Sequence, residues 1–291
     1  MATEVSVVVP VHNEESTIVA CLNHLVAQTH PIAEIIVVDN NSDDSTRELV
    51  ESFAKNHGNV RLLTEPEQGV VYARNRGFNA AKCEIIGRID ADTRVRPDWA
   101  EAAVRYFNND AAADCAMVTG LSLLYDAPFQ NYAARQHRKR CPTPREWPTP
   151  SGNNCFILKS AWESIKDSLD TRLDIHEDAA LGIRLRQQGW TIMMLPDLVI
   201  EMSPRRFVVP PWKGFDYYRA IVRTHEAMGQ IEDAKRIRRT MPLVAVVVTG
   251  LWIVYGGWDP MKRRWRIMEL LTNKGGRVSP VTSSPAAGQA Q

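Results

Sequence analysis

Two carboxylates, one residue apart, follow a predicted buried strand. The run GRIDADTRVRP spans residues 87–97 and places Asp90 and Asp92 directly after the apolar segment 85–89. Carboxylates this close repel each other, and burial adds a desolvation cost. A hard divalent cation such as Mg²⁺ or Mn²⁺ relieves the repulsion and keeps coordination positions open for phosphate oxygens. The pair is therefore a candidate metal and phosphate site.

Acidic residues also follow two other predicted strands. VSVVVP is followed by VHNEE, which contains Glu14, and IIVVD ends at Asp39 before NNSDDST. Considered singly, each of these acids is more typical of a turn or a helix cap. Parallel strands, however, bring their carboxyl ends to one edge of a sheet, where ligands bind. Together with Asp90 and Asp92, these residues predict a carboxylate cluster suited to a cation and to the hydroxyls and base edge of a nucleotide.

The elements that position these residues alternate along the first 120 residues. Helical patterns separate short apolar runs, which predict strands at 5–9, 35–39, 60–64, 84–90 and within 116–124. Such alternation favours an α/β fold with a mostly parallel sheet, flanked by helices and built with right-handed crossovers. The pattern loosens over the proline-rich segment 125–150. Beyond it, the sequence predicts a strand at 154–159, a helix that begins near His176 and a strand at 191–196.

Several of these segments resemble one known family. VSVVVPVHNEE, IIVVDNNSDDST, GVVYARNRGFNAA, IDADT, SGNNCFILK and HEDAALGIRLRQQGW occur in the order and spacing typical of the family 2 glycosyltransferases with the GT-A fold. The resemblance extends over roughly residues 4–200. It implies a Rossmann-like nucleotide-sugar-binding and catalytic domain at 1–205, and we expect a helical extension at 206–274 and a disordered tail at 275–291.

The resemblance also implies roles for individual residues. Asp92 is the expected direct metal ligand, with Asp90 beside it, and Asp178 in HEDAAL is the expected catalytic base, preceded by Glu177. In the family, Glu14 corresponds to a contact with the ribose and Asp39 to the acid that reads the base edge. The full set of residues expected to bind the nucleotide is Pro10, His12, Glu14, Asp39, Ser42, Arg74, Asn75 and Asp90.

The chemistry of sugar transfer is consistent with these roles. An inverting transfer needs a carboxylate that takes the proton from the acceptor hydroxyl as it attacks the anomeric carbon. A metal ion absorbs the charge that develops on the departing nucleoside diphosphate. Glu177 and Asp178 are, however, equally explained as acids favoured in the first turn of a helix.

Two departures from the family pattern stand out. Many relatives have a metal-binding histidine after the strand that follows the base helix, whereas this chain reads DLVIEMSPRRF. Either Glu201 replaces that histidine as a ligand or fewer protein groups hold the metal. The QxxRW pattern of processive synthases is also absent, since the chain reads RQQGW. We therefore expect one sugar to be added per acceptor.

The last third of the chain differs in charge and hydropathy. Residues 1–200 carry 20 Lys and Arg against 27 Asp and Glu, whereas residues 201–291 carry 15 against 7. The 17 residues from 242 to 258 are uncharged, contain three aromatic side chains and have basic residues on both sides. This pattern fits an element at an anionic membrane surface, a membrane-spanning helix, or a helix buried in the core or in a dimer.

The cysteines and the N-terminal sequence indicate the cellular compartment, and the predicted site indicates the binding partners. Five scattered cysteines without a CxxC pair argue against a disulfide framework or a zinc site, and the chain reaches its first strand too soon for a signal peptide. We expect a cytoplasmic protein, either soluble or peripheral on the inner face of the plasma membrane, without a nucleic-acid partner. Its expected partners are a nucleotide-diphosphate sugar and a glycan or lipid-linked acceptor. The alternatives are transfer to a polyprenyl phosphate, or a catalytically silent nucleotide-sugar-binding subunit.

Overall fold

A single mixed sheet forms the centre of the molecule. The computed structural model describes residues 3–109, 112–259, 262 and 264–265. The strands of the sheet in this part of the chain are β1 (Val5–Val11), β2 (Glu34–Asp39), β3 (Val60–Thr64), β4 (Ile85–Ile89), β5 (Thr93–Val95), β6 (Cys115–Leu124), β7 (Arg145–Glu146), β8 (Asn154–Leu158) and β9 (Thr191–Met202). Their order is β3-β2-β1-β4-β8-β6-β9-β5, with β7 paired to β9.

Helices cover both faces of the sheet. They are α1 (Ile18–Val26), α2 (Thr46–Ala54), α3 (Val70–Ala80), α4 (Trp99–Phe107), α5 (Gln130–Arg140), α6 (Lys159–Ile165), α7 (Glu177–Gln187), α8 (Arg205–Val208), α9 (Pro211–Ala227) and α10 (Ile231–Gly256). The alternation of side chains along β1 creates two cores. Val7 and Val9 pack on the face covered by α1 and α4, whereas Val8 packs on the face covered by α3, α6 and α7. This two-faced burial explains why β1 is apolar at every position except Ser6.

The parallel half of the sheet carries the predicted acidic edge. β3, β2, β1 and β4 are parallel neighbours, so the carboxyl ends of β2, β1 and β4 lie side by side. β8 then runs antiparallel between β4 and β6, and β9 is parallel to β6. The predicted α/β architecture with a mostly parallel sheet is confirmed, and the antiparallel β8 brings the loop that precedes it to the same edge.

Two segments differ from the sequence expectation. Residues 130–140, within the segment expected to be irregular, form α5, and β9 continues past the predicted 196 to Met202. α5 buries none of its residues, so it has no apolar stripe for a sequence pattern to detect. The extension of β9 places Glu201 inside a strand that pairs with β5 and β6.

The C-terminal helices pack on one another and on α7. α10 is long and apolar enough to cross a membrane, by length and composition only. One side of it lies against α9, where Trp252 meets Trp212 edge to face. Its other side exposes Leu243 (66%) and Val246 (69%), so burial against the described residues does not account for its apolar side chains. The predicted tail at 275–291, and residues 266–274 of the predicted extension, lie outside the described residues.

Candidate active site

A cavity of about 400 Å³ opens at the carboxyl edge of the sheet. Asp90 enters it from the end of β4, Glu177 and Asp178 from the first turn of α7, and Gly152 from the loop before β8. Arg206, in α8, closes another side. The fold therefore brings together three of the predicted site residues that are up to 88 positions apart in the chain.

Asp178 is held by backbone donors. Its Oδ2 accepts a hydrogen bond from the Gly152 N–H at 3.1 Å, and its Oδ1 accepts one from the Ala179 N–H at 2.8 Å. A Cβ added at Gly152 would lie 3.2 Å from the Asp178 Cβ and 2.9 Å from Arg88 Nη1. The absence of a side chain at Gly152 thus lets the loop approach close enough to orient the carboxylate.

Glu177 is ion-paired with two buried arginines. Its Oε2 lies 2.9 Å from Arg74 Nη1, and its Oε1 lies 2.7 Å from Arg88 Nη1. Burial raises the pKa of Glu177, but the Arg88 and Arg74 guanidiniums outweigh it and hold that pKa below its usual range. Glu177 is therefore ionised and tied to β4 and α3, which fixes the start of α7 and the direction of Asp178.

Asp90 and Asp92 differ in their surroundings. Asp90 lines the cavity with a side chain that is 36% exposed, and the nearest guanidinium atom, Arg88 Nη2, is 3.6 Å away. Asp92 is 6% exposed. Burial raises the pKa of Asp90 above its usual range, and it raises that of Asp92 to about 6 with help from the Asp90 and Glu14 charges. Both carboxylates thus carry the charge penalty that the sequence predicted.

Arg205 supplies part of the missing positive charge. Its Nη1 and Nη2 donate to the two carboxylate oxygens of Glu14 at 2.9 and 2.7 Å, and its Nε lies 2.9 Å from Asp92 Oδ2. Desolvation works against the charged guanidinium, but the bonds to Glu14 and the Asp92 charge raise its pKa above the usual range. One guanidinium at the start of the C-terminal helices therefore joins the ends of β1 and β4.

The remaining predicted nucleotide residues lie at the ends of β1 and β2 and on α3, and none of them lines the 400 Å³ cavity. Asp39 is fully buried; its Oδ2 is 3.1 Å from Arg47 Nη1, and its Oδ1 accepts a hydrogen bond from the Ser42 N–H at 3.3 Å. The His12 Nδ1 lies 2.9 Å from the Asn40 carbonyl oxygen. The other members of the set are Pro10 on β1, paired with Val38, and Arg74 and Asn75 on α3, joined by an Nε–Oδ1 hydrogen bond of 2.7 Å.

Hard oxygen ligands for a cation are available from Asp90 and Asp92. These carboxylates fit Mg²⁺ or Mn²⁺, since both bear a pKa raised by burial that a bound cation would lower. Glu201 lies on β9, where its Oε1 accepts a hydrogen bond of 2.6 Å from Gln130 Nε2 of α5. Among the described residues, no three His, Cys, Asp or Glu side chains are arranged as a metal site. Glu201 as the third ligand stays a prediction.

Sequence reasoning missed three arginines of the site: Arg88, Arg205 and Arg206. Arg88 could have been suspected, because a charged residue inside the apolar run EIIGRID must find a buried partner. Arg205 contacts Glu14 across 191 positions of sequence, and only the folded chain shows that pairing. Arg206 donates to the Tyr217 hydroxyl at 2.5 Å and stacks over its ring.

Comparison with known proteins identifies the family. The profile of "Glycosyl transferase family 2" matches residues 6–165. The glycosyltransferase AglE of Haloferax volcanii is 39% identical over 103 residues, which are 34% of this chain and 34% of AglE. The glycosyltransferase GlyG of Streptococcus pneumoniae is 32% identical over 133 residues, which are 45% of this chain and 43% of GlyG. The matches thus span less than half the length of these relatives.

Solved structures share the fold. The mannosyltransferase PcManGT of Pyrobaculum calidifontis, solved with GDP-Man and Mn²⁺, superposes with a TM-score of 0.63 at 20% identity, covering 85% of this chain and 72% of its own. A fragment of S. aureus TarS with UDP-GlcNAc gives 0.57 at 18% identity, covering 76% and 66%. At these identities the likeness concerns the fold alone. The profile match extends over more than half of the chain, and the protein therefore belongs to glycosyl transferase family 2.

Proposed function

We propose that this protein is an inverting, metal-dependent glycosyltransferase that moves one sugar from a nucleotide-diphosphate sugar to an acceptor hydroxyl. The observation that carries the proposal is that Asp178 and Asp90 face the same cavity from different elements. A carboxylate able to accept a proton thereby shares one space with Asp90, the member of the carboxylate pair that could help to hold a diphosphate through a cation. Family membership and the folds of proteins solved with GDP-Man and UDP-GlcNAc support it.

Asp178 is the proposed catalytic base. Each of its oxygens accepts one backbone hydrogen bond, so the carboxylate is oriented and retains lone pairs for the proton of the acceptor hydroxyl. Glu177 is unsuited to that role, because two guanidiniums occupy its oxygens and lower its pKa. We assign Glu177 as a positioning residue that fixes the first turn of α7.

The donor is proposed to bind along the ends of β1, β2 and β4. Glu14 would face the ribose, Asp39 the base edge, and Asp90 and Asp92 would hold a divalent cation. When bound, that cation would neutralise charge on the nucleoside diphosphate as it leaves. For Asp92 to serve as a ligand, its Oδ2 must give up its contact with Arg205. Arg205 can keep both bonds to Glu14 while it does so, since these involve different guanidinium atoms.

The acceptor is proposed to be a lipid-linked or cell-envelope glycan, and the protein to act in the cytoplasm or at the inner face of the plasma membrane. The apolar, mostly exposed α10 supports this location.

A thermal-shift panel tests the donor and the metal together. UDP, GDP, TDP and CMP are each added with and without Mn²⁺, and the melting temperature is recorded. We expect one nucleoside diphosphate to stabilise the protein only when Mn²⁺ is present, because ligands that bind the native state raise its stability by mass action. Stabilisation by none of them, with or without Mn²⁺, would contradict the proposal.

A further inference from the structure

We propose that an apolar groove along α10 binds the hydrocarbon chain of the acceptor, and that Arg206 binds the phosphate that joins this chain to the acceptor sugar. This inference rests on the proposed function, because it assigns the acceptor of that reaction. It names the acceptor class as an amphiphile with an anionic phosphate linkage between a long apolar chain and a sugar.

The groove continues from the catalytic cavity. It has a volume of about 360 Å³ and lies between α8, α9 and α10. Four residues line both spaces: Arg206, Phe207, Tyr217 and Leu251. An acceptor could therefore place its sugar beside Asp178 and its chain in the groove without leaving a continuous surface.

The groove becomes apolar as it leaves the cavity. Beyond Leu251, its wall on α10 is formed by Val248, Val247, Val244 and Leu243. From position 251 to position 243 the helix rises about 12 Å at 1.5 Å per residue. An apolar groove of this length matches a hydrocarbon chain, and this aliphatic wall has no side-chain hydrogen-bonding groups for the polar rings of a soluble glycan.

The junction between the two spaces carries a cation that no carboxylate contacts directly. Arg206 forms no direct ion pair in the described part of the chain, in contrast to Arg205, which binds two carboxylates. Burial works against its charge, but Tyr217 and the more distant Asp90 and Asp178 carboxylates raise the pKa of Arg206 above its usual range. The Tyr217 hydroxyl, at 2.5 Å from Nη1, and the Tyr217 ring, 4.2 Å from the guanidinium carbon, hold Arg206 in place. A fixed guanidinium between a polar cavity and an apolar groove is complementary to a phosphate with a chain on one side and a sugar on the other.

Farnesyl phosphate is a suitable probe, with farnesol and inorganic phosphate for comparison. Direct binding is measured by isothermal titration below the micelle-forming concentration, first with the unsubstituted protein. Val247→Trp fills the groove, and Val246→Trp makes the same change on the neighbouring residue, which is more exposed and does not line it. We expect Val247→Trp to weaken farnesyl phosphate binding by about ten-fold or more, because the chain loses its apolar contacts, and Val246→Trp to leave it nearly unchanged.

A second variant separates the roles of the phosphate and the chain. Arg206→Gln should reduce the affinity for farnesyl phosphate to that for farnesol, and Val247→Trp should weaken both. Equal effects of the two tryptophan variants, binding of farnesyl phosphate no tighter than that of farnesol, or no binding at all would overturn the inference. So would binding seen only as retention on vesicles of anionic phospholipid that Val247→Trp does not alter, since that describes a general membrane surface.

The thermal shift with nucleotide and Mn²⁺ distinguishes failure of the groove proposal from failure of the proposed function. A protein that responds to a nucleoside diphosphate and Mn²⁺ but does not bind farnesyl phosphate would retain the proposed function and lose the groove. A protein that binds farnesyl phosphate in the predicted way but responds to no nucleotide would lose the proposed function instead.

Discussion

Replacing Arg205 by methionine should tighten Mn²⁺ binding in the absence of nucleotide. In the protein alone, the Arg205 Nε occupies Asp92 Oδ2 at 2.9 Å, so a cation that uses this oxygen must displace the guanidinium. Methionine replaces the aliphatic part of arginine, carries no charge and leaves Asp92 available. The same change should lower the melting temperature, because the buried Glu14 then loses both guanidinium bonds and the buried Asp92 loses its contact with Arg205.

The size of the effect follows from the contact that is lost. The Arg205–Asp92 ion pair contributes no more than a hydrogen bond to a charged group, which is about 1.5–3 kcal/mol. The Arg205 side chain is 31% exposed, so solvent screens part of this, and we take about 1–2 kcal/mol. At 1.4 kcal/mol for each factor of ten, Mn²⁺ should bind about 5- to 30-fold more tightly to Arg205→Met.

Electron paramagnetic resonance of free Mn²⁺ measures this binding directly. The titration is performed well above the Asp92 pKa of about 6 and is repeated at higher pH, because the loss of the Arg205 charge raises the pKa of Asp92 further in the variant. Arg47→Met is the matched control, since it removes the same charge from another buried aspartate, Asp39. Mn²⁺ binding by Arg205→Met that is weaker than that of the unsubstituted protein, or equal to that of Arg47→Met, would refute the reasoning.

Three further predictions concern the acidic edge and the loop beside it. The pKa of Asp92 is raised from 3.8 to about 6, so the folded state binds the carboxyl proton more tightly than the unfolded chain, and stability without metal should fall as pH rises through this range. In thermal melts recorded against pH, the melting temperature of Asp92→Asn should fall less over this range than that of the unsubstituted protein. Glu177→Gln should lower the free energy of unfolding in urea by about 3–5 kcal/mol, because the buried Arg74 and Arg88 lose the Glu177 carboxylate. A loss below about 1 kcal/mol would argue against Glu177 as the residue that positions α7. Gly152→Ala should lower turnover without weakening nucleotide binding, since the new Cβ would lie 2.9 Å from Arg88 Nη1 and 3.2 Å from the Asp178 Cβ and would push the loop away from both side chains. Unchanged turnover would show that the loop does not orient the base.

The sequence predicts the parts of the molecule that repeat a simple pattern. β1, β2 and β4 are largely apolar because both of their faces are buried, and their parallel pairing places Glu14, Asp39 and Asp90 at one edge as expected. These elements need no knowledge of distant contacts, since a buried strand is recognisable from its own residues.

Other features depend on contacts between distant segments. α5 has no buried residue, so its sequence shows neither the helical periodicity nor the apolar stripe from which a helix is predicted. The positive charge beside Asp92 comes from Arg205, which follows the end of β9 and lies near Asp92 only in the folded chain. The run HEDAAL also does not indicate which of its two acids is the base. Glu177 is distinguished from Asp178 by its ion pairs with an arginine of α3 and an arginine of β4.

The central claim is that Asp178 takes the proton from the acceptor. Its most direct test is the rate of nucleoside diphosphate release by Asp178→Asn, with the donor identified in the thermal-shift panel and water or a phosphate-linked glycolipid as the acceptor. Asparagine keeps the size of the side chain, so the thermal shift produced by nucleotide and Mn²⁺ should be unchanged while turnover falls by about 10²- to 10⁴-fold. Turnover within a few-fold of that of the unsubstituted protein, with donor binding intact, would contradict the assignment of Asp178 as the base.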